Sequence, residues 1–511
     1  MKIGISIISL AVILLISSCG QEKHESALLD SMPAGYDIYI TFSPSEIDAD
    51  AILSSIEESK AQAHQQMPWP VAGILGFDPF DWDAWIETFA LDPNGEIGMV
   101  IALADDEPEL IAFFLPSTDA DKVRGFVDDL IAQAPDMDAF TLITESESTV
   151  ILAIAPEQSI LDEFDTSLGE TIETDENYSV LREQSAPGTP GMEVFIDAAV
   201  LSDSELEGIL VTCFPVDSRL TLQFITQMTG VEGLEYASIV SQEPGGNIMK
   251  IPADATSAMH VSFDMAAIKE MVTGSLPPDA HMGAAMLGFE SFDDIIDIFS
   301  GDAWFALHTD GERYSGMIAF GLSDTGALLE LLESLTGLMG MSGEEYNSFQ
   351  FQGNTCLSID VGNLAGIETI EIGIVDDVFV VAGGYTLQEV ADGITFDDYL
   401  ELTGLDITDE GGFALAADLG ALADAYDLNS EMDNIIDFDE FGFVSMSGIS
   451  NGDISQFQVS IDFGTGNPFV AITNTVTMMA YPRFSDANAV PVQLDLTPVE
   501  MDSLSEPMDQ G

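Results

Sequence analysis

Basic residues are almost absent. The chain carries 11 Lys and Arg against 90 Asp and Glu in 511 residues, a formal net charge of −79. Nucleic-acid binding draws its affinity from basic groups set on phosphates, so a surface of this sign argues against it. The same surface repels anionic lipid headgroups. Charged residues of both signs make up an ordinary 20% of the chain, so the unusual feature is the missing cations and not an excess of charge. Cysteine is scarce too: Cys19, Cys213 and Cys356 are the only three. No Cys-x-x-Cys occurs, and the histidines at 24, 64, 260, 281 and 308 include no pair at zinc-ligand spacing. There is no P-loop and no Gly-x-Gly-x-x-Gly fingerprint. After the N-terminal region, no stretch free of charge approaches the roughly 20 apolar residues of a spanning helix.

What is present is a foldable chain. Hydrophobic residues make up 46% of it, with 30 Phe, whereas disordered acidic tails are poor in apolar residues. The bland meaning of the charge is solubility in a salty setting, because net charge speaks to association and not to fold. Divalent cations stay open as partners. Cys213 and Cys356 are expected as two buried thiols, since free cysteine behaves as a small hydrophobe.

The N-terminus reads MKIGISIISLAVILLISSCG. Lys2 is a minimal positive region, and Ile3 to Ile16 is a run of 14 apolar and small residues. That is too short to span a bilayer and has the length of a signal-peptide core. Ile16-Ser17-Ser18-Cys19 follows, and it resembles the lipobox of bacterial lipoproteins. The resemblance implies acylation of Cys19, removal of residues 1–18 and a membrane partner reached through that lipid anchor. Gly20, in place of Asp, implies outer-membrane sorting in a Gram-negative host, with a periplasmic and a surface-facing leaflet both left open.

The rest of the chain repeats itself. "MPAGYDIYITFSPSEI" (32–47) matches "IPADATSAMHVSFDMAAI" (251–268), with Pro33 answering Pro252 and Phe42 answering Phe263. "LGFDPFD" (75–81) matches "LGFESFD" (287–293), "GEIGMVIAL" (95–103) matches "GDAWFALHT" (301–309), and "AFFLPST" (112–118) matches "AFGLSDT" (319–325). Several matches in one order point to a duplicated unit of roughly 220 residues, a plausible domain size. The expected layout is a signal peptide (1–18), a tether (19–31), repeat unit 1 (32–245), repeat unit 2 (246–481) and an acidic tail without periodicity (482–511).

Within a unit, Val123, Phe126, Val127, Leu130 and Ile131 form one apolar helical stripe, with Ser117 or Thr118 as its cap. Paired strands are expected at 97–104 and 110–115, at 140–144 and 150–154, and at the corresponding places of the second unit. Strand pairs separated by helices predict an α+β fold: two tandem copies of an antiparallel sheet with helices packed on one face. The Pro-Ala opening of each unit, the "GFD…F…G(D/E)" segment and the lipobox together resemble a broad family of exported, duplicated bacterial proteins of unknown function. That resemblance implies no activity.

Three local patterns invite chemistry. Gly448-Ile449-Ser450-Asn451-Gly452 fits Gly-x-Ser-x-Gly, but no histidine follows Ser450 to serve as base, and the segment reads as a hairpin. Asp427, Asn429, Glu431 and Asp433 have calcium-loop spacing, yet Met432 and Phe438 stand where an EF-hand needs Gly and Glu. An irregular site using Asp433, Asp437 or Asp439 stays open there, against a solvated acidic face. Trp69, Trp82 and Trp85 could line a groove, although clustered aromatics are more often core. The expectation is therefore a lipid-anchored envelope protein that binds or scaffolds without catalysis, with no cofactor and no catalytic or metal residues. A carrier of an apolar ligand or lipid is the alternative, and a cation-binding surface protein is the other. If the charge serves solubility alone, the melting temperature of chelator-treated protein rises with NaCl, and micromolar Ca²⁺ at matched ionic strength adds nothing.

Overall fold

A computed structural model of the chain describes residues 28–29, 32–43, 82–104, 107–133, 139–146, 149–169, 171–185, 190–197, 206–216, 218–228, 241, 249–275, 284–285, 287–309, 313–342, 346–364, 366–404, 412–425, 441–451 and 454–464. Cys19, the tether apart from Leu28 and Leu29, the 427–440 acidic segment, Trp69 and the tail lie outside them. Among the described residues no helix is long and apolar enough to cross a membrane.

The fold is mixed α+β around a large antiparallel sheet of 18 strands among the described residues. Its first half comprises β1 (Ile38–Phe42), β2 (Ile97–Ala104), β3 (Glu107–Leu115), β4 (Phe140–Ser146), β5 (Thr149–Ala155), β6 (Met192–Asp197), β7 (Leu206–Val216) and β8 (Arg219–Met228). They lie side by side in the order β4-β5-β3-β2-β1-β6-β7-β8. A short β9 (Lys250–Ile251) precedes the second half, which comprises β10 (Ser257–Ser262), β11 (Phe299–Thr309), β12 (Tyr314–Leu322), β13 (Tyr346–Phe351), β14 (Asn354–Leu364), β15 (Ile367–Val375), β16 (Val378–Gly383), β18 (Phe413–Asp418), β19 (Phe443–Asn451) and β20 (Ile454–Asp462). Their order is β13-β14-β15-β16-β12-β11-β10-β18-β19-β20. Apart from the extra β13–β14 hairpin, the second order repeats the first. β9 pairs separately with β17 (Ile394–Thr395).

The expectation of two sheets is corrected here. β8 and β20 pair over nine residues, from Arg219 opposite Asp462 to Gln227 opposite Ile454, and fuse the halves edge to edge. Each of these strands has only one partner within its own half. A free edge presents unpaired backbone groups, and mutual pairing removes both edges at once.

Helices on one face only is the second correction: both faces are covered. On one face of the first half, α1 (Trp82–Phe89) and α2 (Ala120–Gln133) bury Trp85, Phe89, Val123 and Val127 against Met99, Ile111 and Phe113. On the other, α3 (Gln158–Ser167) and α4 (Glu176–Gln184) bury Leu161, Phe164, Tyr178 and Leu181 against Val100, Ala112 and Phe114. β2, IGMVIALA, is apolar at every position because both of its faces are buried. In the second half α5 (Met265–Ser275), α6 (Phe292–Ile296) and α7 (Thr325–Ser342) follow β10 and flank β11 and β12, while α8 (Leu387–Ala391) and α9 (Phe396–Thr403) cover the opposite face. A short α10 (Leu419–Ala425) follows β18.

Caps fix where these helices begin. Asp119, not Ser117 or Thr118, accepts from the backbone of Asp121 and Lys122 at 3.1 and 3.3 Å and starts α2. The Ser117 hydroxyl instead donates to the Phe89 carbonyl at 2.5 Å and ties α1 to the segment that follows β3. Thr386 and Glu389 form a reciprocal capping box on α8. Trp85 is fully buried and stacks on Phe89 at 5.5 Å, so it belongs to the core. Trp85→Ala is expected to cost about 3–5 kcal/mol in denaturant unfolding. Leu402→Ala, at a side chain 69% exposed, should leave the midpoint within about 0.5 kcal/mol of wild type.

Candidate functional site

The sheet's register sets side chains in rows that cross every strand. On the face bearing α1 and α2, one row of the first half reads Val194, Ile40, Met99, Phe113, Leu152. The matching row of the second half reads Leu415, Met259, Phe305, Ile318, Val381. Both rows are apolar, but their cover differs. On β12 the pairing register runs two residues off the sequence match of 112–118 to 319–325, and it sets Ile318, 42% exposed, in the place of Phe113, 5% exposed beneath the helices.

The neighbouring row explains the difference in shape. In the first half it is Ile38, Ile101, Ile111, Ile154. In the second half it is Ser257, Leu307, Gly316, Gly383. Gly316 and Gly383 sit directly opposite each other on β12 and β16, with Ile370 of β15 next in line. Two isoleucine positions have become two bare backbone positions, and the sheet surface is hollow there. The result is an open groove of about 490 Å³ across β18, β10, β11, β12, β16 and β15. That volume falls within the range of small-ligand sites. Its side walls are Met259, Phe305, Leu307, Ile318, Ile367 and Ile370, and among the described residues Ser257 is the only polar side chain lining it. The groove can bury hydrocarbon at about 25 cal/mol per Å². Among the described residues lining it there is no titratable base and no charged group.

The glycines leave room on purpose-built geometry. A Cβ on Gly316 would meet only the Ala306 carbonyl at 3.5 Å and Leu307 Cδ1 at 3.8 Å. One on Gly383 would touch Ile367 at 3.4 Å and Ile370 at 3.8 Å. These are ordinary contacts, so neither backbone position demands glycine.

The opposite face carries the buried polar groups. Ser262 donates to Asp302 Oδ1 at 3.0 Å, and His260 Nε2 lies 3.4 Å from the same oxygen. His260 stacks on Trp304 with ring centres 4.8 Å apart and meets Phe396 edge-on at 5.8 Å. Serine, histidine and aspartate are thus together, yet not as a triad. A nucleophile needs the imidazole between it and the acid. Here Ser262 Oγ and His260 Nε2 lie 3.5 Å apart and both face the same carboxylate oxygen, so one ring nitrogen meets serine and acid alike, and all three residues are less than 6% exposed. In the first half the ion pair of Arg182 with fully buried Glu193, at 2.9 Å, occupies this face.

The remaining sequence candidates do not converge. Ser450 lies in β19, one residue before the end of the strand of a β19–β20 hairpin. His308 donates from Nδ1 to the Asp254 carbonyl at 2.6 Å, while His24, His64 and His281 lie outside the described residues. Among the described residues no group of three or more His, Cys, Asp or Glu is placed to hold a metal. The Gly316–Gly383 pair escaped sequence reasoning. An isolated glycine in a strand pattern is its only local signal, and the two lie far apart in the chain.

Cys213 and Cys356 are free and buried. Burial pushes the Cys213 thiol up from 9.0 to about 12, and desolvation raises Cys356 as well. A thiol whose folded pKa is raised contributes fully below its unfolded value and loses that contribution as pH climbs toward the folded one. Both thiols should therefore resist Ellman's reagent at pH 8 until the protein is unfolded. Stability should fall above about pH 9, by up to about 1.4 kcal/mol per pH unit from Cys213, with Cys356 acting in the same direction.

No family model and no curated protein matches the chain. Three solved structures, titled crystal forms I, III and IV of TP0453, are similar at 8%, 10% and 8% identity, with TM-scores of 0.23, 0.22 and 0.22. They cover 40%, 44% and 40% of this chain and 80%, 96% and 81% of their own.

Proposed function

We propose that this protein is a non-catalytic binding protein of the bacterial cell envelope, tethered through a lipid on Cys19, that carries an apolar ligand in the groove of its second half. The observation that carries the ligand reading is the pair of facing glycines, Gly316 and Gly383, where the first half has Ile111 and Ile154. A groove floored by bare backbone and walled by Met, Phe, Leu and Ile discriminates by shape and dryness, not by hydrogen bonding.

The protein consists of two copies of one α+β unit. Supporting this are the matched sequence segments at 32–47 and 251–268 and the repeated strand order about the β8–β20 seam. One copy has kept its sheet face filled by its own helices, and the other has opened it. The lipobox sequence supports the anchor, and Gly20 supports outer-membrane sorting. Acyl chains on Cys19 supply stable attachment at about 0.8 kcal/mol per buried CH₂.

Gly316→Ile with Gly383→Ile is the decisive variant, because it restores the first half's side chains. Purified wild-type protein without the leader should enhance the fluorescence of the neutral dye N-phenyl-1-naphthylamine in a saturable manner. The filled variant should lose at least about tenfold in affinity, while its melting temperature holds or rises, since β-branched residues suit strands. Equal dye binding by both proteins would sink the reading. For the anchor, Cys19→Ala should abolish incorporation of labelled palmitate in cells and release the protein from the membrane fraction.

A further inference from the structure

Taking the groove as an apolar seat, we infer that its occupant is a single-chain amphiphile whose head group bears an ammonium and no net negative charge. The groove crosses six strands, five spacings of about 4.8 Å, or roughly 24 Å. That length suits one extended hydrocarbon chain lying across the strands along the Leu307–Gly316–Gly383–Ile370 row. Among the described residues lining it, only Ser257 and the backbone can bond a polar head. The head must then sit at the rim, in water, where its charge meets the charges of the protein.

Those charges are mostly of one sign. None of the six groove strands contains Lys or Arg. Glu368, which lies on β15 between the groove residues Ile367 and Ile370, is exposed. Arg313, one residue before β12, is already engaged in an interaction. The wider surface has a net charge of −79 behind it. Over a Debye length of about 8 Å at physiological salt, this rim repels a carboxylate or phosphate head and attracts an ammonium.

The test holds the chain constant and varies the head. Cetylamine, cetyl alcohol and palmitate are titrated against dye-loaded wild-type protein and against the Gly316→Ile, Gly383→Ile variant, at low and at high NaCl. Subtracting the variant removes adventitious binding of a cation to an acidic protein. The expected order at low salt is cetylamine, then cetyl alcohol, then palmitate. Cetylamine and palmitate should differ by at least about tenfold, or about 1.4 kcal/mol, and the gap should shrink at high salt. Palmitate binding as tightly as cetyl alcohol at low salt would overturn the head-group inference and leave the apolar seat standing. If no chain displaces dye from the wild type beyond the filled variant, the seat itself is wrong.

Discussion

Nine residue pairs between β8 and β20 hold the two halves as one object. Each strand enters that pairing as the last of its half, with one side still unsatisfied. Once they join, the rows of side chains run through the seam without a break. One face is apolar along its rows, from Leu152 and Phe113 through Phe224 and Phe457 to Ile318 and Val381. The other turns polar at the seam, where Thr212, Gln223, Ser445 and Ser460 are buried. Thr221 and Ser460 hydrogen-bond across the seam at 2.8 Å, which fixes the register of the two halves. A slip of one residue would exchange these two faces, so the polar contacts and the apolar rows enforce the same pairing.

Against this common frame the halves differ in how they cover the apolar face. In the first, Trp85, Phe89 and the α2 stripe reach down to a floor of isoleucines. In the second, that floor has lost two side chains. Apolar surface left open costs about 25 cal/mol per Å², so such a hollow persists in a stable fold only when the rest of the core bears it. The second half has a large core on its other face, built from Trp304, Cys356, Phe396, Tyr399 and the alanines of β10, β11, β16 and β18. The small residues on that side let α8 and α9 pack closely, and the hollow opens on the far side of the same strands.

Among the described residues, four of the scarce cations hold structure together. Arg182 neutralises the buried Glu193. Arg219, at the seam, donates to the Gly404 carbonyl that closes α9. Lys122 reaches the Glu87 carbonyl, tying α2 to α1, and Lys250 donates to the Ala391 carbonyl at the end of α8. Each joins segments that are remote in sequence or caps a helix C-terminus. What they leave exposed is a surface of carboxylates, and that surface decides which head groups can approach the groove.

Much of the secondary structure was legible in the sequence, and for physical reasons. The stripe Val123, Phe126, Val127 has helical period, and the 97–104 strand is the β2 that formed. The second unit's four strands from 346 to 383 were legible from their alternation. The unbroken apolar run of β2 already implied cover on both faces, and Thr386-x-x-Glu389 already marked a helix start, although both signals are easily passed over. The groove was not legible. Its walls come from six strands, and its floor depends on Gly316 facing Gly383 across a pairing that local pattern does not specify. Composition and periodicity are properties of neighbours along the chain, so the sequence by itself determined the charge, the strands, the helices and the repeated order of segments. Which edges meet, and therefore which side chains share a row, is decided by backbone groups that every residue carries alike. Only the tertiary structure could set two distant glycines side by side and make a binding surface of what they lack.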